Sequence, residues 1–296
     1  IVRRATDHRW YWGNVTQYVN REFFATPHAD GGYVLNGVKK WNTGAPLAEV
    51  TTVLAEHADR THFIYGYLPT DREGIRFEQD WSPIGLRGAD SSTVVFDNVR
   101  LHADEVIPWK HPGAQRSVLP FWTTFGAVYY SAVYLGSALA ALDTARDYAR
   151  NDRRQTLSPG ASSLADDPLV LTQFGELWSR VQAGLGYFDR VIAELQQGWD
   201  QRLELDDDAI GRLTARALAL RSHSSALALE ITPRLFDFPG GRGTQRDKAF
   251  DRFWRDARTL SSHDPLINSL HAVGNYALNN TPLRYGSRFP NEGERP

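Results

Sequence analysis

Four groups of residues have types and spacings that could do chemistry. Pro239-Gly240-Gly241-Arg242-Gly243-Thr244 sets glycines around one guanidinium between two helical patterns. Backbone N–H groups near a helix start, with a cation beside them, favour an anion such as a phosphate. The same spacing also suits an ordinary glycine helix terminator, and no Gly-Lys-Ser/Thr follows to make a Walker loop. His263-Asp264-Pro265 follows the Arg-rich aromatic stretch Phe250 to Arg258. An imidazole there can donate a proton or hold a reactive group by a hydrogen bond; alternatively Asp264 caps a helix opened by Pro265 and His263 is a satisfied junction residue. Arg146, Arg150, Arg153 and Arg154 close a long helical pattern, either as cations complementing the helix dipole or as phosphate ligands. Trp41-Asn42-Thr43 and Trp81-Ser82-Pro83 place indoles beside small hydrogen-bonding groups, a setting for a planar heteroaromatic ligand or simply a strand core.

Other chemistries lack their residues. There is no Cys among the 296 residues, which removes disulfides, thiolate metal sites and a thiol nucleophile. The nine His form no His-x-x-x-His pattern, and His57 with His62 straddles a turn-like Ala58-Asp59-Arg60, so spacing predicts no metal site. No Gly-x-Ser-x-Gly elbow supports a Ser-His-Asp reading.

The elements that must carry these groups change character near the middle of the chain. From Asn20 to Ile107 the text is strand-like, with β-rich runs at Tyr33–Leu35, Thr51–Leu54, His62–Tyr67 and Ser92–Phe96. Asp30-Gly31-Gly32, Asn36-Gly37, Glu73-Gly74 and Asp97-Asn98 read as the turns between them, which suggests a sandwich or barrel. After Pro112 the period becomes helical, over Ala114 to Asp152, from Asp167, over Asp208 to Phe236, Lys248 to Thr259 and Pro265 to Leu278. Asp167-Pro168 is an N-cap and N1 pair. These lengths fit a bundle of long antiparallel helices, joined through Pro108–Gly113, Thr156–Ala165, Gln201–Asp207 and Pro239–Thr244.

Composition bounds the partners. A hydrophobic share of 42% and an aromatic share of 12% supply a sizeable core, and a formal net charge of −2 argues against nucleic acid. No run approaches the ~18 to 20 apolar residues of a membrane helix, and no signal peptide opens the chain, so a cytoplasmic protein with no membrane partner is expected. The sequence has no Met, even at position 1; we expect it to begin inside a longer chain.

The motifs also occur in a recognisable order. Asp30-Gly31-Gly32-Tyr33-Val34-Leu35-Asn36-Gly37-Val38-Lys39-Lys40-Trp41-Asn42-Thr43-Gly44 resembles the G-K-K-x-W-I-T-N-G region of acyl-CoA dehydrogenases. Trp81 to Ser91, followed by Val95-Phe96-Asp97-Asn98-Val99, is similar to that family's later β-domain signature. Phe238 to Thr244, then Phe250 to Arg258, is similar to its Gly-rich cofactor loop and the following helix. Where the dehydrogenases carry Tyr-Glu-Gly-Thr with its catalytic Glu, this chain has Thr259-Leu260-Ser261-Ser262-His263-Asp264-Pro265. That departure resembles the flavin-dependent monooxygenase branch of the superfamily, and within it the dibenzothiophene monooxygenases. Thr43 stands where those enzymes have Ser, and Leu260 where they carry a second His, so the thiophene substrate is not carried over.

The resemblance implies an α+β chain: the end of a missing N-terminal helical domain and a flavin-facing loop in 1–19, a middle β-barrel or sandwich domain in 20–107, a C-terminal four-helix bundle in 108–281 and an irregular tail in 282–296. It implies a two-component monooxygenase: a flavin reductase supplies reduced flavin, O2 forms a C4a-hydroperoxide on it, and a small sulfur- or nitrogen-containing or aromatic substrate is oxygenated. The flavin would be FMN, with FAD as the alternative. Asn14, Thr43 and Trp81 would line the isoalloxazine, with Asn14 and Thr43 also serving catalysis. Arg154, Arg242, Gly243 and Thr244 would hold the phosphate, within one chain or across a subunit interface, and His263 would hydrogen-bond the peroxide or protonate the departing oxygen. A homotetramer is usual in the family. The alternatives are an FAD-dependent acyl-CoA dehydrogenase with Asp264 as base, and a non-catalytic flavin-binding homologue.

Overall fold

The computed structural model describes residues 2–17, 22–108, 121–151, 156–263 and 266–283. These fall into two compact units, one within residues up to 108 and one from residue 121 onward.

In the first unit a short helix, α1 (Val2–His8), precedes seven strands: β1 (Trp12–Val15), β2 (Phe23–Pro27), β3 (Tyr33–Lys39), β4 (Val50–His57), β5 (Phe63–Pro69), β6 (Ile75–Phe77) and β7 (Val94–Leu101). They form one sheet in the order β1-β4-β2-β3-β7-β6, with β5 pairing β4. The β1–β4 and β2–β4 pairs are parallel and the others antiparallel. Alternation of buried and half-buried residues is cleanest along β5, the period-2 signature of a sheet with one face on a core. Val15, Phe23, Leu35, Val53, Leu68 and Phe96 all meet in that single core.

Two of the predicted turns are not turns. Asn36-Gly37 lies inside β3 and Asp97-Asn98 inside β7. The register jumps there from Leu35↔Val99 to Gly37↔Phe96, so two residues of β7 face one of β3, which is a β-bulge. Asn36 and Asn98 are bonded across it, Asn98 N donating to Asn36 Oδ1 at 2.8 Å. Gly37 (φ 125°) and Asn98 (φ 54°) take the positive φ values the bulge needs. A β-carbon on Gly37 would fall 1.8 Å from Glu22 O. Asn and Gly serve turns and bulges for the same backbone reason, and only the pairing tells them apart. Asp30-Gly31-Gly32 and Glu73-Gly74 do turn the chain, with Gly31 at φ 84° and Gly74 at φ 90°.

The second unit holds α2 (Phe121–Asn151), α3 (Pro168–Asp200), α4 (Asp207–Arg234), α5 (Arg252–Ser261) and α6 (Leu266–Asn279). Asp167 caps α3 as expected, accepting from Leu169 N at 3.0 Å. It also accepts from Leu157 N, Ser158 N and Ser158 Oγ at 2.6 to 2.7 Å, so the loop from Thr156 is tied to the helix start. These donors hold the buried Asp167 carboxyl down at about 2 against the opposing push of burial. Leu135, Leu142, Leu177, Val181, Leu227 and Ile231 interlock between α2, α3 and α4.

The expectation that no stretch approaches a membrane helix needs correcting. α2 is long and apolar enough to cross a membrane by composition. Its inner side, including Tyr134, Leu135, Ala138 and Leu142, instead fills the bundle core. Small and aromatic residues in place of an aliphatic run hid this helix from a search for continuous hydrophobicity.

Candidate functional site

In the first unit, the predicted ring-binding residues come together around one short segment. β1 runs beside the 3-10 turn Ala45–Leu47 so closely that a β-carbon on Gly13 would sit 2.5 Å from Ala45 Cα. Asn14 N donates to Thr43 O at 3.1 Å. The Thr43 hydroxyl meets Ser91 Oγ at 2.9 Å, and Gly44 N donates to Ala89 O at 3.0 Å. Trp81 donates its indole N–H to Leu86 O at 3.0 Å and stands edge-on to Trp41, ring centres 5.9 Å apart. Beneath them buried Asn42 donates to Lys39 O and Ser92 O at 2.7 and 2.9 Å, fixing the residues on either side of it.

This cluster is aromatic, exposed and conformationally unusual. Trp41 is 60% exposed and Tyr11 56% exposed. Trp41, Leu86 and Asp90 all have positive φ (63°, 52° and 37°), a conformation that costs non-glycine residues of order 1 kcal/mol and gathers at ligand sites. Indole and phenol faces beside an exposed amide and hydroxyl fit a flat heteroaromatic ring with polar edges. Sequence reasoning missed Ser91 as the hydroxyl partner of Thr43, because 48 residues separate them.

In the second unit, Arg242, Gly243 and Thr244 lie on a 3-10 turn, Gly240–Thr244, ahead of α5. The expectation of free backbone N–H groups opening directly into a helix is not met. A second 3-10 turn, Arg246–Lys248, intervenes, and Thr244 turns its hydroxyl back to Gly241 O at 2.6 Å. Gly243 is needed for packing, since a β-carbon there would lie 2.4 Å from Pro239 Cγ. What remains on the surface has an excess of cations: Arg242, Arg246, Lys248 and Arg252 are exposed beside the exposed Asp247 and Asp251, with Lys248 paired to Asp247 at 3.3 Å. That charge still suits a phosphate. Arg154 and Asp264 lie outside the described residues. Arg146 pairs with Asp143 at 3.0 Å on its own helix, as a solvated helix face would.

His263 lies two residues beyond the end of α5, its N–H donating to Leu260 O at 3.0 Å. Its Nε2 lies 3.1 Å from the Tyr130 hydroxyl, with the two rings 5.0 Å apart. Tyr130, on α2, is covered by the guanidinium of Arg221 of α4, 4.9 Å from the ring centre. Arg221 is itself only 3% exposed. Three helices therefore build an Arg221–Tyr130–His263 stack that no local motif announces. Leu260 is buried beneath this helix end, which accounts for an apolar side chain there.

A sheet unit followed by a helical bundle is the domain pair of the acyl-CoA dehydrogenase fold. The family models agree: the acyl-CoA dehydrogenase middle domain matches residues 18–99 and the C-terminal domain residues 128–266. Dibenzothiophene monooxygenase of Mycolicibacterium goodii is 32% identical over 94% of this chain and 70% of its own length. A probable FMNH2-dependent monooxygenase of Pseudomonas putida, SfnC, is 30% identical over 92% of this chain and 68% of its own. The crystal structure of FMN-bound TdsC from Paenibacillus sp. A11-2 superposes with a TM-score of 0.88 at 30% identity, covering 95% of this chain and 74% of that one. The chain belongs to the flavin-dependent monooxygenase branch of the acyl-CoA dehydrogenase family.

Proposed function

We propose that this chain is the oxygenase of a two-component system. A flavin reductase supplies FMNH2, and the reaction FMNH2 + O2 + substrate → FMN + H2O + oxygenated substrate places one oxygen atom on a small apolar molecule at sulfur or nitrogen. Reduced FMN, when bound, supplies the two electrons that activate O2. The observation that carries this reading is the linked cluster of Asn14, Thr43, Ser91, Trp41 and Trp81, which offers polar edges and aromatic faces to a flavin ring.

Asn14 and Thr43 bind and orient the ring, and Trp81 walls it from water. Arg242 and its cationic neighbours neutralise the phosphate. His263 holds or delivers a proton at the reacting oxygen, and Tyr130, accepting or donating at Nε2, decides which imidazole nitrogen carries that proton. Such an enzyme works in the cytoplasm beside its reductase, as a homotetramer.

The test mixes the protein with chemically reduced FMN, O2 and a panel containing dibenzothiophene and indole, then measures oxygenated product and H2O2. Product in excess of peroxide is expected. Protein that instead holds stoichiometric FAD and is reduced by an acyl-CoA would sink the proposal. His263→Ala should shift the balance toward H2O2; unchanged coupling removes the role given to His263.

A further inference from the structure

At the tip of the β4–β5 hairpin, well away in sequence from every flavin-directed residue, three metal-ligating side chains converge. His57 ends β4 and His62 immediately precedes β5; His57 N donates to His62 O at 2.8 Å, so the two are a cross-strand pair. Arg60, at φ 61°, closes the turn between them. The imidazoles stack with centres 4.5 Å apart and planes 18° from parallel. Asp59 reaches up from the turn, with Oδ1 2.7 Å from His57 Nδ1 and 4.0 Å from His62 Nδ1. One ligand atom from each residue lies within 4.8 Å of the other two.

We propose that His57, Asp59 and His62 form a binding site for a divalent transition metal of the zinc class, with water completing the shell. A tetrahedral zinc with bonds of about 2.0 to 2.1 Å separates its ligand atoms by about 3.4 Å. The two distances to Asp59 bracket that value, and the stacked imidazoles must turn about their Cβ–Cγ bonds to aim both lone pairs at one ion. Thr61 fixes the Asp59 carboxyl in place, its N–H and hydroxyl both donating to Oδ1 at 2.8 and 2.7 Å. His57 is only 14% exposed and packed edge-on by Tyr33, which limits its freedom before binding. Metal entry displaces the Thr61 hydroxyl from His62 Nδ1, now 2.7 Å away. Two imidazoles disfavour Mg2+ and Ca2+, which prefer all-oxygen sets.

The spacing His-x-Asp-x-x-His matches no helical ligand pattern, which is why it reads as a turn in sequence. Its donors are brought together by strand register.

The experiment titrates chelator-treated protein with Co2+, then Zn2+. One equivalent of Co2+ with tetrahedral visible absorption bands, displaced by Zn2+, is expected at micromolar concentrations. His62→Ala, at a partly exposed position, should weaken binding by about a hundredfold, and Asp59→Asn by at least about tenfold. Zinc should raise the unfolding temperature of the native protein and not that of His62→Ala. Absence of cobalt bands up to about 100 μM metal, or a His62→Ala variant that binds as the native protein does, overturns the proposal.

Discussion

Tyr130 is the residue whose removal most sharply tests the reading of His263. Tyr130→Phe keeps the ring beneath Arg221 and deletes only the hydroxyl 3.1 Å from Nε2. The ratio of product to H2O2 should fall about fivefold to tenfold, the worth of one hydrogen bond, and its pH profile should shift, while FMNH2 affinity stays unchanged. An unaltered pH profile would make Tyr130 a packing residue. Lys39 poses a different question, because it is buried at 1% exposure with its ammonium over the Phe23 ring. Burial pulls it from 10.5 down to about 8, against the opposing pull of Glu56. Between those values the unfolded chain binds more protons than the folded one, so this group's contribution to stability rises with pH across that window. Below about pH 8 the full burial cost, about 3 kcal/mol, is present. Urea unfolding of Lys39→Met alongside the native protein should show a stability difference that changes between pH 8 and 10 and levels off below 8. His263 was legible in the sequence as an imidazole at a helix junction. Tyr130 and Arg221 were not, since the Tyr130–His263 contact spans 133 residues and the stack depends on which helix faces meet.

Elements show the same division between what is local and what is not. The α3 start was readable because Asp167-Pro168 carries its cap within two residues. The β3–β7 bulge was not, because Asn36-Gly37 and Asp97-Asn98 have turn chemistry and lie 62 residues apart across the Asn36–Asn98 bond. The three strands missed in the sequence, β1, β2 and β6, are only three to five residues long, too short for a period of two to stand out. Gly37→Ala should destabilise the sheet unit by at least about 3 kcal/mol, since its β-carbon has no room beside Glu22 O and φ is 125°. Gly241→Ala is the contrast: nothing lies within 4 Å of its would-be β-carbon, so its unfolding midpoint should stay put. If both variants unfold at the native midpoint, the bulge does not constrain the fold as described.

At the scale of the whole molecule, α5 separates the two bundle residues proposed to serve the flavin, Arg242 and His263. Its 10 residues span about 15 Å, with the cationic turn before it and His263 beyond it. A phosphate held at one end and a ring served by the other need not belong to one flavin of one copy. Outward-facing apolar side chains are available for assembly: Leu171 and Trp178 on α3 are 55% and 51% exposed, and Ile267 and Leu278 on α6 are 71% and 85% exposed. Such side chains at helical spacing exceed what a solitary bundle needs and suit contact between copies. The homotetramer proposed above predicts a particle of four copies of the protein. The pair Leu171→Glu and Trp178→Glu should break it down, read by light scattering during size exclusion. If phosphate and ring contacts are shared between copies, the dissociated protein should also lose FMN binding by more than about tenfold, although Asn14, Thr43, Trp81 and Arg242 are all intact. A dissociated variant that quenches FMN fluorescence at native concentrations would place the whole flavin site within a single copy.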